Sequence, residues 1–134
     1  MSLERAYRDA RYVAALPEGE EVLAVGQASG ALDRLLATHG VATAARLTAA
    51  NPGSGRELAA AVNAAANEKL AADLDRLGDA RLPCRSAGPA GEWPEEGFLA
   101  LGLNRAEADR LARRYGQKGY LWIEAGRPVV LVMM

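Results

Sequence analysis

Eight residues of this chain have side chains and a spacing that could do chemistry together. Thr48, Asn51 and Ser54 fall in one short polar run, Thr48-Ala49-Ala50-Asn51-Pro52-Gly53-Ser54. Asn63 and Asn67 follow one helical turn apart, Glu95 and Glu96 stand side by side, and Gln117 lies just beyond a helix stop. Hydroxyls and amides of this kind hold small polar ligands, and a carboxylate can serve as a general base toward water or a substrate proton. The ligand-binding candidates are therefore Thr48, Asn51, Ser54, Asn63, Asn67 and Gln117, and the catalytic candidates are Glu95 and Glu96. Neighbouring side chains diverge on a strand or a helix, so at most one of the two glutamates enters a shared pocket. A glycosidase pair of facing carboxylates is not supported.

Other chemistries are harder to assemble. Ser54 is expected to cap a helix beginning near Arg56, and no histidine is placed to deprotonate it as a nucleophile. The single histidine, His39, precedes Gly40 at a helix end, where it suits the carbonyl end of the helix dipole. Cys84 is also alone, so no internal disulfide forms and no zinc set of Cys and His can be built. Gly26-Gln27-Ala28-Ser29-Gly30 lacks the glycine spacing of a dinucleotide site and has no Lys-Ser/Thr behind it. No metal and no cofactor is expected.

The elements that must position these residues follow from periodicity and punctuation. The polar run sits where a buried strand, Val41 to Thr48, gives way to the longest helix, Arg56 to Leu77, a junction at which α/β proteins commonly place ligands. At 100° per residue Val62, Ala66, Leu70, Leu74 and Leu77 share an apolar arc with Leu58, with Asn63 inside it and Asn67 at its edge. Amides so placed must be hydrogen-bonded, whether as ties to a neighbouring loop or as the lining of a polar pocket. Upstream, a helical turn leads into a strand ending at Leu16, Pro17 to Glu20 turns the chain, and Glu21 to Gly26 makes a second strand. A helix from Ala31 to Thr38, with Leu32, Leu35 and Leu36 on one face, then gives a strand-helix-strand order that reads as a parallel crossover. Downstream, Arg81 to Ser86 is a short strand, Gly88 to Gly91 a loop, and Trp93 and Phe98 flank an acidic turn. Asn104 and Glu107 form a capping box for a helix to Tyr115. Tyr120 to Glu124 and Pro128 to Met133 form a closing hairpin. The expected fold is a single α+β domain over residues 1–134, a mixed sheet of about five or six strands with three main helices.

Composition narrows the partners. The chain has 134 residues, enough to bury a core without disulfides or a structural metal. Its 17 acidic and 16 basic residues nearly cancel, so there is no strong nucleic-acid signal. The amino-terminal residues carry no apolar signal segment, and the run from Pro128 is too short to span a bilayer. A cytoplasmic protein without membrane association is expected.

The same residues, taken in order, resemble a bacterial family, domain-of-unknown-function family 3293. The resemblance runs from Tyr7 and Tyr12 through Thr48–Ser54, Asn63 and Asn67 to Trp93-Pro94-Glu95-Glu96-Gly97-Phe98-Leu99 and Tyr115-Gly116-Gln117. It implies the extent of the domain and no particular activity. The residues themselves favour a non-enzymatic small-ligand-binding or interaction module with a polar cleft around Thr48–Ser54. The alternative is a small hydrolase or transferase for a phosphorylated or nucleotide-like ligand, with a glutamate as general base.

Overall fold

The structure is a computed structural model describing residues 2–54, 56–78 and 80–134. Helix α1 (Leu3–Asp9), capped by the Ser2 hydroxyl, leads into the hairpin β1 (Arg11–Leu16) and β2 (Gly19–Leu23). Helix α2 (Gly30–Thr38) and strand β3 (Thr43–Leu47) follow. A single 3-10 turn (Pro52–Ser54) precedes α3 (Ala60–Arg76), then β4 (Arg81–Ala87) and β5 (Phe98–Leu101). Helix α4 (Arg105–Arg114) and the hairpin β6 (Gly119–Glu124) and β7 (Val130–Met133) complete the chain.

The α+β class holds, with two corrections. The sheet has seven strands in the order β2-β1-β4-β5-β3-β6-β7, and each neighbouring pair is antiparallel. Four α-helices are present among the described residues, the opening turn being a full helix of seven residues. The expected parallel crossover does not form, because β1, β4 and β5 separate β2 from β3. The two edges instead approach each other: Val25 and Val129 form a parallel bridge, and the Gly26 amide donates to the Val129 carbonyl at 2.8 Å. The sheet therefore curls back on itself, which shields edges that would otherwise be open to pairing with another chain.

Strand alternation assigns the two faces. Tyr12, Ala14, Leu16, Ala44, Cys84, Leu99, Leu101, Leu121 and Ile123 belong to the cluster inside the curl, together with the α2 leucines. Nine residues of helix are marginal alone. Burial of Leu32, Leu35 and Leu36, at about 2 kcal/mol each, holds α2 in place. On the outer face Ala45, Leu47, Ala100, Tyr120 and Trp122 meet α3 and α4 through Leu70, Leu74, Ala108 and Leu111. Capping separates these two helices. Asn104 and Glu107 close a complete capping box on α4, whereas the residue before α3 is Ala59, with no side-chain cap.

Helix α3 starts at Ala60 and not near Arg56, so Ser54, six residues earlier, is not its cap. Its buried stripe is also rotated from the projected arc. Asn67, Leu70, Asp73 and Leu74 are buried, while Val62 is 55% and Leu77 38% exposed. The helix is oriented by Asn67, which turns toward the sheet and carries Val62 out to solvent.

Candidate functional site

The chain leaves β3 through a turn that ordinary residues do not make unaided. Asn51 (φ 47°), Gly53 (φ 77°) and Ser54 (φ 56°) all occupy the left-handed region. Asparagine tolerates that region better than most residues, and strain of this kind persists only where the surroundings over-determine it.

The surroundings here are amides. Asn51 is 1% exposed, and its Oδ1 accepts from the Leu58 amide at 2.7 Å and from Asn63 Nδ2 at 2.9 Å. Its own backbone N–H donates to Asn63 Oδ1 at 2.9 Å, so the two asparagines clasp each other. Asn67 Oδ1 accepts from the Ala49 amide at 2.8 Å, and its Nδ2 donates to the Glu96 carbonyl at 3.0 Å. The Thr48 hydroxyl donates to that same carbonyl at 2.6 Å and accepts from the Ala50 amide at 3.0 Å. Gln117 Nε2 donates to the carbonyls of Ala50, at 2.9 Å, and Tyr115, at 3.2 Å. Among the described residues no buried side-chain nitrogen or oxygen lacks a partner. Thr48, Asn51, Asn63, Asn67 and Gln117 are thus brought together, bonded to each other and to backbone, with Asn51 Nδ2 reaching a further side chain.

The glutamates divide as adjacent residues should. The Glu96 side chain is exposed, and only its carbonyl serves the network. Glu95 turns inward, and its Oε2 accepts from Asn51 Nδ2 at 2.8 Å. Its backbone is fixed by paired 2.8 Å bonds with Ser86. Burial pushes the Glu95 carboxyl above the usual carboxylate range, partly offset by the Asn51 hydrogen bond, the positive charge of Arg46 and a hydrogen bond from the Trp93 side chain.

Beyond Glu95 lies a cavity of about 350 Å³. Its walls are α1 (Leu3, Ala6, Tyr7), Tyr12 of β1, Ser86 of β4 and the loop from Gly88 to Trp93, with Arg46, Ser54 and Glu95 completing the lining. Ser54 is the one member of the polar run that reaches it. Trp93 holds a left-handed φ of 53° and remains 40% exposed at the cavity wall.

Sequence reasoning misses Arg46. On β3 it alternates with Ala45 and Leu47, so it faces inside the curl with Ala44, and it is 4% exposed. Its Nε and Nη2 each donate to the Cys84 carbonyl at 3.2 Å, and Nη2 also donates to the Glu95 carbonyl at 3.2 Å. The guanidinium lies over the Tyr12 ring, 5.5 Å from its centroid. Gly97 makes room for it: a Cβ there would stand 2.6 Å from the Leu47 carbonyl and 3.0 Å from Arg46 Nη2. The available signal was a lone arginine inside the apolar strand Thr43–Leu47, immediately before the polar run.

Other reactive groups are inert or remote. Cys84 is buried, and burial raises its thiol pKa, which disfavours the nucleophilic thiolate. His39 is exposed at the carboxyl end of α2 and lies outside the cavity wall. Among the described residues no three His, Cys, Asp or Glu side chains are grouped to hold a metal, and no helix is long and apolar enough to cross a membrane.

A curled antiparallel sheet with an amide-locked turn beside a mostly apolar cavity defines a class of small α+β protein with a concave site. Residues 47–119, more than half of the chain, match the family described as protein of unknown function (DUF3293), and the chain belongs to that family. The matched segment begins at the end of β3 and takes in the amide network, Glu95 and Gln117. No curated protein and no solved structure matches the chain.

Proposed function

We propose that the protein is a non-enzymatic binding module for a small molecule, which occupies the cavity beside the Thr48–Ser54 turn. The observation that carries this reading is the cavity's lining. A buried arginine and a partly buried carboxyl both line this mostly apolar cavity, the usual make-up of a small-ligand site. The amide network is the scaffold of that site. Asn51 and the Ser86 bridge fix Glu95 in position, and Asn63, Asn67 and Gln117 fix Asn51 and its turn.

The test is a fragment screen read by backbone amide chemical shifts. Binding should move the signals of Tyr12, Arg46, Ser86, Trp93 and Glu95 together. A screen whose hits all map elsewhere, or that has no hits, would refute the reading.

One observation favours the alternative of a small hydrolase or transferase acting on a phosphorylated or nucleotide-like ligand. Burial raises the Glu95 carboxyl above the usual carboxylate range, the direction in which a general base is strengthened. That version requires turnover of such a substrate, abolished in Glu95→Gln.

A further inference from the structure

The Arg46 and Glu95 charges lining the cavity are not paired with each other. Among the described residues no carboxylate lies within 4 Å of the Arg46 guanidinium. A buried arginine and a half-buried glutamate lining one cavity would ordinarily close into a salt bridge, because desolvation is costly to each alone. Here other bonds hold them apart. Arg46 is clamped to the carbonyls of Cys84 and Glu95 through Nε and Nη2, which leaves Nη1 outside these bonds. Glu95 is held by Asn51 through Oε2, and the Trp93 side chain on the cavity wall also hydrogen-bonds its carboxyl, a contact that a ligand ammonium would share or displace. Both side chains line the cavity.

The other acids of the lining are already occupied. Asp9 pairs with Arg5 at 3.1 Å, and a Glu92 carboxylate oxygen accepts from the Ala90 amide at 3.0 Å. The cavity therefore offers one cation and one carboxylate, fixed separately, against apolar and aromatic walls.

Resting on the small-ligand reading above, we infer that the ligand is amphoteric: an apolar body carrying both a carboxylate, taken by Arg46, and an ammonium, taken by Glu95, as in an α-amino acid with an apolar side chain. A ligand with a single charge would engage one of the two groups and leave the other buried without a counter-charge. A phosphate dianion would bring two negative charges to one guanidinium, next to a carboxylate. The volume of about 350 Å³ lies at the small end of ligand pockets, where a single amino acid or a short peptide terminus fits. Tyr7, Tyr12 and Trp93 give the apolar body flat surfaces to pack on.

The experiment uses the full chain and matched probes: L-phenylalanine and L-leucine, phenethylamine (no carboxylate) and 3-phenylpropanoate (no ammonium). Affinities are measured by titration calorimetry and located by amide chemical shifts. At least one amino acid should bind about tenfold or more tightly than either single-charge analogue, a difference typical of one charge-assisted hydrogen bond. Glu95→Gln keeps an acceptor for Asn51 and removes the charge, so it should bring the amino acid down to the level of 3-phenylpropanoate.

A single-charge analogue that binds as well as both amino acids overturns the inference, as does an amino acid indifferent to Glu95→Gln. If no amino acid binds while fragments still shift the cavity residues, the ligand class fails and the binding reading stands. If nothing shifts them, both fail.

Discussion

Asn51 stands between two regions that treat polar groups in opposite ways. On one side Asn63, Asn67, Thr48 and Gln117 give every amide and hydroxyl to a backbone group or to one another. On the other, Arg46 and Glu95 are equally well anchored, yet both line the cavity and form no salt bridge with each other. Buried polar groups are costly when unmatched, so a fully matched cluster is one whose purpose is met within the chain. Opposite charges held apart in one cavity are incomplete until something else arrives. On the proposed reading, the polar run is the scaffold and the binding surface lies one side chain further in.

The comparison breaks most visibly at Asn51 itself. Asn51→Leu orphans the Leu58 amide, frees the Asn63 side chain and puts a branched residue in a left-handed backbone conformation. A loss on the order of 3 kcal/mol is expected in chemical denaturation, from roughly two unsatisfied groups plus backbone strain. A loss below about 1 kcal/mol would mean that the network is not what holds the turn.

Gly97→Ala probes the seam between the regions. Its Cβ would meet the Leu47 carbonyl at 2.6 Å and Thr48 Cβ at 3.0 Å, neither of which can move without shifting β3. Overpacking of this kind costs about 2 kcal/mol, and the displaced strand should carry Arg46 with it. Amide shifts at Arg46 and Cys84 report that movement. A stable variant with unmoved shifts at both would refute the close approach.

Asn63→Leu is the milder test of the scaffold, because Asn63 is only half-buried and a water can replace part of its role. The Asn51 amide still loses its acceptor. A destabilisation of about 1–2 kcal/mol is expected despite the added apolar area. An unchanged or raised melting temperature would show that solvent satisfies the turn equally well.

How much of this was legible depended on how local the cause was. The capping box of Asn104 and Glu107, the leucine stripe of α2 and the closing hairpin are set by neighbours in the chain, and the sequence displays them. The need for Asn63 to find partners was legible too, because an amide inside a helical apolar arc has to be satisfied. Strand order was not. β3 pairs with β5 and β6, and β1 pairs with β4, across tens of residues, so nothing local distinguishes these partners from a parallel crossover. Strand β5 was hidden because its four residues follow directly on Trp93-Pro94-Glu95-Glu96-Gly97, and Phe98 and Leu99 read as the end of that loop. Val62 looked like core because periodicity marks a face without saying which part of it the sheet will take. Arg46 escaped because an arginine on a strand ordinarily points to solvent, and only the curl of the sheet turns that position inward.

Glu95→Gln gives the smallest effect of the four substitutions and the sharpest one in sign. Burial raises the Glu95 carboxyl in the folded protein, so between its unfolded and folded pKa values the native state binds more protons than the unfolded chain. Stability contributed by this group is therefore fullest below the unfolded value and declines as pH rises through the folded one. Glutamine keeps an acceptor for Asn51 Nδ2 but does not titrate. The melting temperature of the variant relative to the parent should accordingly rise from acid to neutral pH, levelling off above the folded pKa. A flat difference would show that Glu95 ionises as easily in the fold as in water. A difference falling with pH would show that Arg46 stabilises the carboxylate more than burial opposes it. In that case the two groups act as a pair, and the contrast between a finished scaffold and an unfinished cavity no longer holds at its central residue.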